Sequence, residues 1–582
     1  MTYTAPVTEQ RFVLETVADL PGLARLPRFE AATPDLADAI LEEAGKLSAG
    51  VFAPINRIGD TEGARLANGA VTLPAGFREA YAAYVEGGWM TLGADPGYGG
   101  QGLPFALATA VQEQLTSANM ALSLCPMLSQ GAIEALTAHG TEDQKQTYLT
   151  KIVSGEWTGT MNLTEPQAGS DVGALRTTAT PAADGTWRIK GSKIFITWGE
   201  HDVAENIIHL VLARTPGSPK GTKGISLFIV PKFLVNADGS PGARNDLRCV
   251  SIEHKLGIHA SPTCTMSYGD DDDCVGYMIG DENAGMRAMF TMMNHARINV
   301  GLQGVSIAER AYQHALAYAK ERVQVRRIIE FADVRRMLMT MRSLTEAARA
   351  LTYLNAAAVD RAHAETDEAA QREAQGLADL LTPVTKAFST DVGVEVASLG
   401  VQIFGGMGFI EETGAAQHYR DARIAPIYEG TNGIQAMDLV GRKLPQGRWK
   451  SLFADMRADF VLFAAGDQGG LVPYLEDALA ALESATTWLA DGGAAGGADD
   501  NAAGATPYLR MFGLTVGGWL LAKQASAAER RLAAGEGDPA FLNAKIVTAR
   551  FFAEQFLPQA AALLGPVTRG AETLFAIPEE AL

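Results

Sequence analysis

Two changes of pattern, near Thr158 and near Asp281, restrict the fold of this chain more than any other feature of its sequence. Between them, short segments rich in β-branched residues are bounded by Gly, Pro and Asp, which is typical of strands. On either side, apolar residues recur at three- and four-residue spacing, which predicts helices. The predicted strands are 187–197, 206–214, 224–233 and 264–268.

Helical periodicity covers most of the remaining chain. The Thr431–Asn432 pair is a predicted N-cap, and a segment rich in Gly, Ala and Asp at 491–505 is expected to be a flexible interruption. The apolar face expected for the helix after the N-cap consists of Ile434, Met437, Val440, Gly441 and Leu444. The other predicted helices are 31–53, 107–139, 283–324, 335–360, 376–399, 449–465, 472–489 and 507–534.

These segments predict an α+β multidomain protein. We expect an N-terminal helical domain at 1–158 and a central β-barrel-like domain at 159–280. A C-terminal helical bundle is expected at 281–445, followed by an additional C-terminal helical domain at 446–582.

The charge and the cysteines narrow the class of protein. A formal net charge of −19 disfavours nucleic acid or an anionic membrane surface as the main partner. The cysteines Cys125, Cys249, Cys264 and Cys274 form no C-x-x-C pair, so no metal site is predicted. Residues 1–20 lack the apolar core of a signal peptide, and no apolar run approaches the roughly 18 residues of a membrane span. We therefore expect a cytoplasmic protein without a membrane span.

Two polar segments lie in or next to the β region. Residues 161–171 read MNLTEPQAGSD and offer the hydroxyls of Thr164 and Ser170 beside Gly169, either as donors to a heterocycle or phosphate or as a polar turn between domains. Residues 193–199 read KIFITWG, with Phe195 and Thr197 expected on one face of a strand and Trp198 on the other. Phe195 would either cover an aromatic ligand or pack in the core.

Two further segments lie in the bundle. Residues 401–409 read VQIFGGMGF; the glycines do not open a helix after a strand, so they either contact a ligand or cap a helix. Residues 427–435 read IYEGTNGIQ, where Glu429 has no Lys or Arg within four residues and is a candidate base with a raised pKa. Two other carboxylates compete with it: Glu165, which precedes Pro166 and could brace the chain, and Glu321, which is expected to pair with Arg322.

Six segments resemble the acyl-CoA dehydrogenase family in their order and approximate spacing. They are TEPQAGSD, KIFITWG, GDENAGM (280–286), ERVQ (321–324), VQIFGGMGF and IYEGTNGIQ. One such motif would be weak, whereas six in order are specific. The resemblance covers about residues 80–445 and implies non-covalent FAD, an acyl-CoA substrate and a homodimer or homotetramer in which each FAD touches two subunits.

The resemblance also assigns roles to individual residues. It implies that Glu429 is the catalytic base and that Ser170, Asn294, Arg297, Tyr428 and Gly430 contact the substrate. The FAD contacts that it implies are Met161, Leu163, Thr164, Gly169, Ser170, Phe195, Thr197, Arg322, Gln324, Gln402, Gly405, Gly406 and Thr431. The chain departs from the family after Gln324, where Val-Arg-Arg replaces the usual Phe-Gly, and at Met161, Phe195 and Asn294, where members often have an aromatic residue, Trp and Asp.

The activity that the resemblance implies is α,β-dehydrogenation of an acyl-CoA to the trans-2-enoyl-CoA. Glu429 would remove the α-proton while the β-hydrogen leaves as hydride to flavin N5. The Glu429 N–H and an FAD ribityl hydroxyl would polarise the thioester carbonyl, and an electron-transfer flavoprotein would reoxidise the flavin. The alternatives are an acyl-CoA oxidase and an alkylation-response flavoprotein that binds DNA; the charge of −19 and the presence of Glu429 oppose the latter.

The length points to a branch of the family. Ordinary members end near the position of Leu444, whereas this chain continues to residue 582. That layout resembles the long branch that includes 3-methylmercaptopropionyl-CoA dehydrogenases of dimethylsulfoniopropionate breakdown and bacterial dehydrogenases of broader acyl range. The resemblance implies oxidation of 3-methylmercaptopropionyl-CoA to methylthioacryloyl-CoA or, alternatively, general fatty acyl-CoA dehydrogenation.

Overall fold

The computed structural model describes residues 3–492 and 497–582. These residues form two compact units. The first unit contains Glu42–Leu103 and Gln114–Ala296 together with the segment that ends at Ala5, and the second contains Pro6–Leu41, Pro104–Glu113 and Arg297–Leu582. The predicted succession of helical, β and helical regions is confirmed, whereas the boundaries of the four domains stay a prediction.

The region before the sheet is mainly helical, as predicted. The predicted helix at 107–139 is in fact two helices, because Asn119 interrupts it and its side chain accepts a hydrogen bond from the Leu122 N–H at 3.1 Å. A small hairpin pairs Arg65–Ala67 with Ala70–Thr72. The main helices of the region are Val7–Thr16, Pro34–Leu47, Ala53–Glu62, Phe77–Glu86, Phe105–Ala118 and Met120–His139. Shorter helical turns are Leu20–Leu23, Pro27–Phe29, Ser48–Phe52, Trp89–Thr91, Pro96–Tyr98, Glu142–Gln144, Lys145–Leu149 and Thr150–Val153.

The central region is one eight-stranded sheet. Its strands pair antiparallel except Trp157–Asn162, which runs parallel to Asn206–Ala213. Asn206–Ala213 and Ser226–Pro231 are buried at every position, so they form continuous apolar runs. The strand order is Leu247–Ile252, Thr263–Tyr268, Trp187–Thr197, Val275–Ile279, Ser226–Pro231, Asn206–Ala213 and Trp157–Asn162, with Thr178–Pro181 paired to Trp187–Thr197.

The four predicted strands are present, but one of them is divided. The segment 224–233 contains Ser226–Pro231 and the start of Phe233–Val235, because the Lys232 N–H bonds to the Ile207 carbonyl while the Phe233 N–H turns to the Asn206 side chain. Phe233–Val235 pairs with Pro241–Arg244 in a separate hairpin. Strands that the sequence did not predict are Trp157–Asn162, Thr178–Pro181, Pro241–Arg244, Leu247–Ile252 and Val275–Ile279.

Three long helices form the bundle. The first two agree with the predicted helices 283–324 and 335–360 to within four residues at each end, whereas the third begins eight residues before and ends five residues after the predicted helix 376–399. The three helices are Gly285–Glu321, Ala332–Ala364 and Glu368–Phe404. By length and composition alone, the region of the last helix is apolar enough to cross a bilayer. Here that helix packs against Ala332–Ala364 and buries Lys386.

The helix after Thr431 begins as predicted but buries only part of the predicted apolar face, since Val440 and Leu444 are buried and Gly441 is exposed. The Thr431 hydroxyl accepts a hydrogen bond from the Ile434 N–H at 3.2 Å, and the helix runs over Asn432–Asp438 before the turns Leu439–Lys443 and Leu444–Gln446. The prediction that Ile434 and Met437 are buried is wrong, since both are exposed. The buried face instead carries Gln435, because its side-chain amide bonds back to the turn that precedes the helix.

The residues after 448 form further helices. The predicted helices 449–465 and 472–489 are confirmed, and the third begins nine residues earlier than predicted. The prediction of a flexible segment at 491–505 is wrong from Ala498 onward, where buried Ala505 and Tyr508 pack the helix into the unit; residues 493–496 lie outside the described residues. The helices are Trp449–Ala465, Val472–Ala490, Ala498–Ala534, Pro539–Gln555, Leu557–Ala562 and Leu564–Thr568.

A buried arginine joins three helices of the second unit. Arg349 is 1% exposed and donates hydrogen bonds to Glu113 Oε1 at 2.8 Å and to Glu309 Oε2 at 2.7 Å. The Tyr353 hydroxyl donates to Glu113 Oε2 at 2.7 Å. Because both carboxylates are bonded, the guanidinium is compensated in a site that excludes water.

A buried lysine ties the C-terminal helices to the rest of the second unit. Lys545 lies on Pro539–Gln555, and its ammonium donates to Glu346 Oε2 at 2.6 Å and to Glu9 Oε1 at 2.7 Å. Glu9 belongs to the N-terminal helix Val7–Thr16. One ammonium therefore binds two carboxylates from distant parts of the chain.

Candidate active site

Glu429 lies in a strained turn. Its φ is +56°, in the left-handed region that a residue with a side chain rarely adopts, and Gly430 follows with φ +83°. The Gln435 side-chain amide donates to the carbonyls of Glu429 at 3.3 Å and Gly430 at 3.1 Å, which holds the turn. A Cβ on residue 430 would lie 2.8 Å from that amide nitrogen, so only glycine fits without a shift.

The Glu429 carboxyl is partly buried next to two cations. Burial raises the pKa of Glu429, and the positive charges of Arg297 and Lys386 oppose that rise. Arg297 is itself buried, with Nη1 3.7 Å from the Asp438 carboxylate, and its Nε has no hydrogen-bond partner among the described residues. A carboxyl whose pKa is raised holds a proton more tightly than a solvated carboxyl does, which suits it to act as a base.

Lys386 and Asn432 fix the residues after Glu429. Sequence reasoning did not assign either of them to the site. The Lys386 ammonium is buried and donates to Asn432 Oδ1 at 2.9 Å. The Asn432 amide donates to Asp391 Oδ1 at 2.7 Å and to Thr390 Oγ1 at 3.0 Å. Burial lowers the pKa of Lys386 to about 7. The one signal in the sequence was a lysine in an otherwise uncharged stretch, PVTKAF at 383–388, of a predicted core helix.

Tyr428 is held on the other side of Glu429. Its hydroxyl donates to the Gln303 side chain on the helix Gly285–Glu321, and burial raises the pKa of the phenol. Asn294 lies on the same helix and is half-buried. The structure thus brings together four of the predicted residues: Glu429, Tyr428, Gly430 and Arg297.

The first unit carries the segment 161–171. Met161 is buried in the strand Trp157–Asn162, whereas Thr164 is half-buried and Gly169 and Ser170 are exposed. No atom of the described residues lies within 4 Å of the position that a Cβ on Gly169 would take, so the backbone is open to close approach. That open backbone with its hydroxyls fits the ligand-binding interpretation of the segment.

Glu165 is a brace and not a free base. Although burial alone would raise its pKa, the Lys193 ammonium at 2.8 Å and the Thr177 donors hold the pKa of Glu165 at about 2. Its exposed fraction is 4%. The competing interpretation of Glu165 as the base is therefore excluded.

Phe195 projects from a β-bulge. The pairing with the neighbouring strand shifts between Lys193 and Ile196, and Phe195 has φ +58°. Its side chain is 58% exposed, so the alternative of core packing is wrong. Trp198 is buried, with its indole N–H donating to the Ala121 carbonyl at 3.2 Å, while Thr197 is half-buried. An exposed aromatic ring on a constrained backbone fits a cover for a planar ligand.

The segment 401–409 ends a helix. Gly405 has φ +62° and its N–H bonds to the Gln402 carbonyl, so the helix-cap interpretation holds. Gln402, Gly405 and Gly406 are exposed, and within the part of the chain that the structure describes a Cβ on either glycine would meet no atom within 4 Å. Ligand contact at these glycines stays a prediction.

Arg322 and Gln324 lie on an exposed hairpin that pairs Val323–Gln324 with Arg326–Arg327. Val325 is at its tip with φ +68°. The predicted ion pair between Glu321 and Arg322 is wrong: in the described part of the chain neither forms one, because both side chains point into solvent. Thr431 is exposed apart from its capping hydrogen bond. Across residues 3–492 and 497–582, no cluster of three His, Cys, Asp or Glu side chains could hold a metal ion.

Comparison with known proteins places the chain in a family. It matches the N-terminal domain of acyl-CoA dehydrogenases at residues 62–156, their middle domain at 160–270 and their C-terminal domain at 283–444. Residues 452–578 match a domain described as acetyl-CoA dehydrogenase C-terminal like. The chain belongs to the acyl-CoA dehydrogenase family, whose members are FAD-dependent oxidoreductases that act on the CH–CH bond of acyl-CoA thioesters.

Individual relatives are similar to this chain over nearly its full length. The chain is 49% identical to 3-methylmercaptopropionyl-CoA dehydrogenase of Ruegeria pomeroyi over 99% of both chains. It is 37% identical to a butyryl-CoA dehydrogenase of Syntrophomonas wolfei over 94% of this chain and 93% of that one. An acyl-CoA dehydrogenase of Bacillus anthracis complexed with FAD shares the fold, with a TM-score of 0.75 at 20% identity over 98% of this chain and 92% of that one. The predicted family, enzyme class and cofactor are thereby confirmed.

Proposed function

We propose that this chain dehydrogenates a short acyl-CoA thioester at Cα–Cβ, with Glu429 as the base and 3-methylmercaptopropionyl-CoA as the substrate. The observation that carries the proposal is the Glu429 carboxyl itself. It is partly buried on a left-handed turn, its pKa is raised by burial, and two cations lie near it. Such a carboxyl can take the weakly acidic α-proton.

The turn also offers a donor for the thioester. In the described residues the Glu429 N–H donates to no acceptor, whereas the N–H of the preceding Tyr428 bonds to the Ile424 carbonyl. A free N–H next to the base can donate to the thioester oxygen as negative charge develops there. Because Gln435 holds the turn, the base and this donor keep a fixed relation.

We propose that the flavin side of FAD lies against residues of the first unit that have the required exposure. Thr164, Gly169, Ser170 and Phe195 offer hydroxyls, open backbone and an exposed ring. Bound FAD supplies the acceptor for the hydride that leaves Cβ. The further proposed contacts are Met161, Leu163, Thr197, Arg322, Gln324, Gln402, Gly405, Gly406 and Thr431, and those to acyl-CoA are Ser170, Asn294, Arg297, Tyr428 and Gly430.

The substrate proposal rests on the length and identity of one relative. The Ruegeria pomeroyi enzyme matches this chain from end to end, including the extra C-terminal helices. Butyryl-CoA is the second candidate, since the Syntrophomonas wolfei enzyme also covers nearly the whole chain. Both acyl groups are short, so the proposal predicts poor activity on long chains.

The partners follow from family membership. We propose an electron-transfer flavoprotein as the acceptor of the electrons, a homodimer or homotetramer as the assembly, and the cytoplasm as the location. Size-exclusion chromatography with light scattering measures the assembly. Hydrogen peroxide release without an added acceptor would instead support the oxidase.

The decisive experiment is an anaerobic titration of the FAD-loaded protein with butanoyl-, octanoyl-, palmitoyl- and 3-methylmercaptopropionyl-CoA, followed by bleaching of the flavin band. Fastest bleaching with the sulfur-containing substrate supports the proposal. Fastest bleaching with butanoyl-CoA would support the second candidate. Glu429→Gln should keep FAD and lose turnover, whereas Glu321→Gln, at the exposed competing carboxylate, should behave as wild type. A Glu429→Gln variant with a near wild-type rate would refute the assignment of the base.

A further inference from the structure

We propose that the buried Lys193–Glu165 ion pair is a positioning element, which fixes the loop carrying Thr164 and Ser170 and the bulge carrying Phe195 in one geometry for FAD. The inference rests on the proposed function, since those three residues are its proposed flavin-side contacts. Neither Lys193 nor Glu165 touches the reacting atoms in this account; both act through their neighbours.

The lysine is bonded on the loop side. Lys193 is fully buried, and its ammonium donates to Glu165 Oε1 at 2.8 Å and to the Leu163 carbonyl at 3.0 Å. The next residue, Ile194, donates its N–H to the Thr164 carbonyl at 2.9 Å. The end of the bulged strand is therefore fastened to three consecutive residues of the loop.

The Glu165 carboxylate binds both ends of the loop that carries Gly169 and Ser170. Besides Lys193, Glu165 accepts from the Thr177 N–H at 3.0 Å, the Thr177 hydroxyl at 2.6 Å, the Arg176 N–H at 2.7 Å and the Gln167 amide at 2.7 Å. These donors come from both ends of the segment that carries Gly169 and Ser170. The Glu165 carboxylate thus fixes the distance between the two ends of this loop. The exposed residues of the loop are proposed to contact FAD.

The bulge needs such support. A bulky residue at φ +58° is strained and persists only where its surroundings over-determine it. Lys193 stands two residues before Phe195, at the point where the strand pairing shifts. Because the ammonium and the Ile194 N–H are both held by the loop, a movement of the loop moves the ring of Phe195.

Stability alone does not account for the pair. Burying two charges roughly offsets their attraction, so a buried ion pair contributes little net stability compared with apolar residues of similar size. The pair does give a unique geometry, because a carboxylate with five donors has no second arrangement of equal energy. The ion pair therefore couples the loop and the bulge, which are the two segments proposed to contact the flavin.

The test compares Lys193→Met and Glu165→Gln with a control, Lys232→Met. Lys232 pairs with Glu200 in the same unit, is also largely buried and makes no hydrogen bond to the loop or the bulge. The measurements are the Kd for FAD, the visible spectrum of the bound flavin, kcat and KM separately, and the Tm without FAD. Glu165→Gln keeps the size and one acceptor oxygen, so it remains measurable if Lys193→Met does not fold.

The proposal expects weaker FAD binding in both variants, by about tenfold or more, a shifted flavin spectrum and a larger fall in kcat than rise in KM. Lys232→Met should lower Tm and leave the FAD affinity and spectrum within about twofold of wild type. Glu165→Gln with wild-type FAD affinity and spectrum would overturn the inference. Since FAD binding is measured without acyl-CoA, failure of wild type to react with any acyl-CoA would count against the proposed function alone.

Discussion

The Lys545 site offers a prediction whose magnitude can be worked from the structure. The ammonium is buried between Glu346 and Glu9, with hydrogen bonds of 2.6 and 2.7 Å. Lys545→Met removes the charge but keeps much of the apolar stem, so the packing changes little. Two carboxylates are then left buried with fewer partners, although Arg342 still bonds Glu346 at 2.7 Å. Breaking a buried pair in this way costs about 3–5 kcal/mol.

Unfolding is followed by denaturant titration and by calorimetry. The loss of stability is measured as the change in the midpoint of the unfolding transition. In a domain of 150–250 residues, each kcal/mol lowers Tm by about 2–4 °C, so a fall of several degrees is expected. The matched control is Lys523→Met on the same C-terminal helices. Lys523 is 40% exposed and pairs with Asp459 at 3.3 Å, and such a surface pair contributes about 0–1 kcal/mol.

A second substitution separates charge from packing. In Lys545→Met/Glu9→Gln, the carboxylate that Arg349 approaches only to 3.9 Å becomes neutral, so part of the lost free energy of unfolding should return. Equal losses in Lys545→Met and Lys523→Met would refute the reasoning, because they would mean that burial does not decide the strength of the pair. Absence of any recovery in the double variant would point to lost packing as the cause.

Three other perturbations follow from the same structure. Gly430→Ala should lower kcat by about tenfold or more at unchanged FAD content, because its Cβ would displace the Gln435 amide that holds the catalytic turn. Lys386→Met removes a charge that lowers the pKa of Glu429, so the acid limb of the pH profile of kcat/KM should move to higher pH. Glu346 has a pKa lowered from 4.5 to about 2, so its stabilisation is present above pH 4.5 and is lost as the pH falls towards 2; Glu346→Gln should make acid unfolding, followed by circular dichroism, less steep in that window.

Each of these has a contrary outcome. A Gly430→Ala enzyme with wild-type kcat would show that the turn tolerates a Cβ. An acid limb that stays in place in Lys386→Met would mean that the lysine does not act on Glu429. An unchanged acid-unfolding slope in Glu346→Gln would exclude this carboxylate as a source of acid sensitivity.

The sheet shows which parts of a fold a sequence reveals. Asn206–Ala213 and Ser226–Pro231 are buried on both faces, so their continuous apolar runs could be recognised as strands in the sequence. Thr178–Pro181 and Leu247–Ile252 are short, at least half of their positions are exposed, and they are strands only because other segments pair with them. The helix that begins at Ala498 was missed because its Gly/Ala/Asp composition resembles a linker, whereas its packing is tertiary.

The residues of the proposed active site could likewise be predicted only in part. Glu429 was identified from its motif, and the glycine after it is consistent with the left-handed turn that the structure has. Lys386 lies 43 residues earlier on another helix, and its bond to Asn432 depends on how that helix packs. Burial of Ile434 and Met437 on the helix after Thr431 was wrongly predicted for a related reason, since Gln435 turns inward to hold the Glu429–Gly430 turn.

The position of Lys545 has a consequence for how the chain must be made. Ribosomes release the N-terminal residues first, so Glu9 and Glu346 emerge long before the ammonium that binds them. Until the last helices are synthesised, the second unit cannot close over these two carboxylates without burying them in the absence of the cation that binds both. The C-terminal helices are therefore not an appendage that can be cut off to leave a shorter enzyme of ordinary family length. Truncation after Leu444 should yield an insoluble or protease-sensitive product during expression.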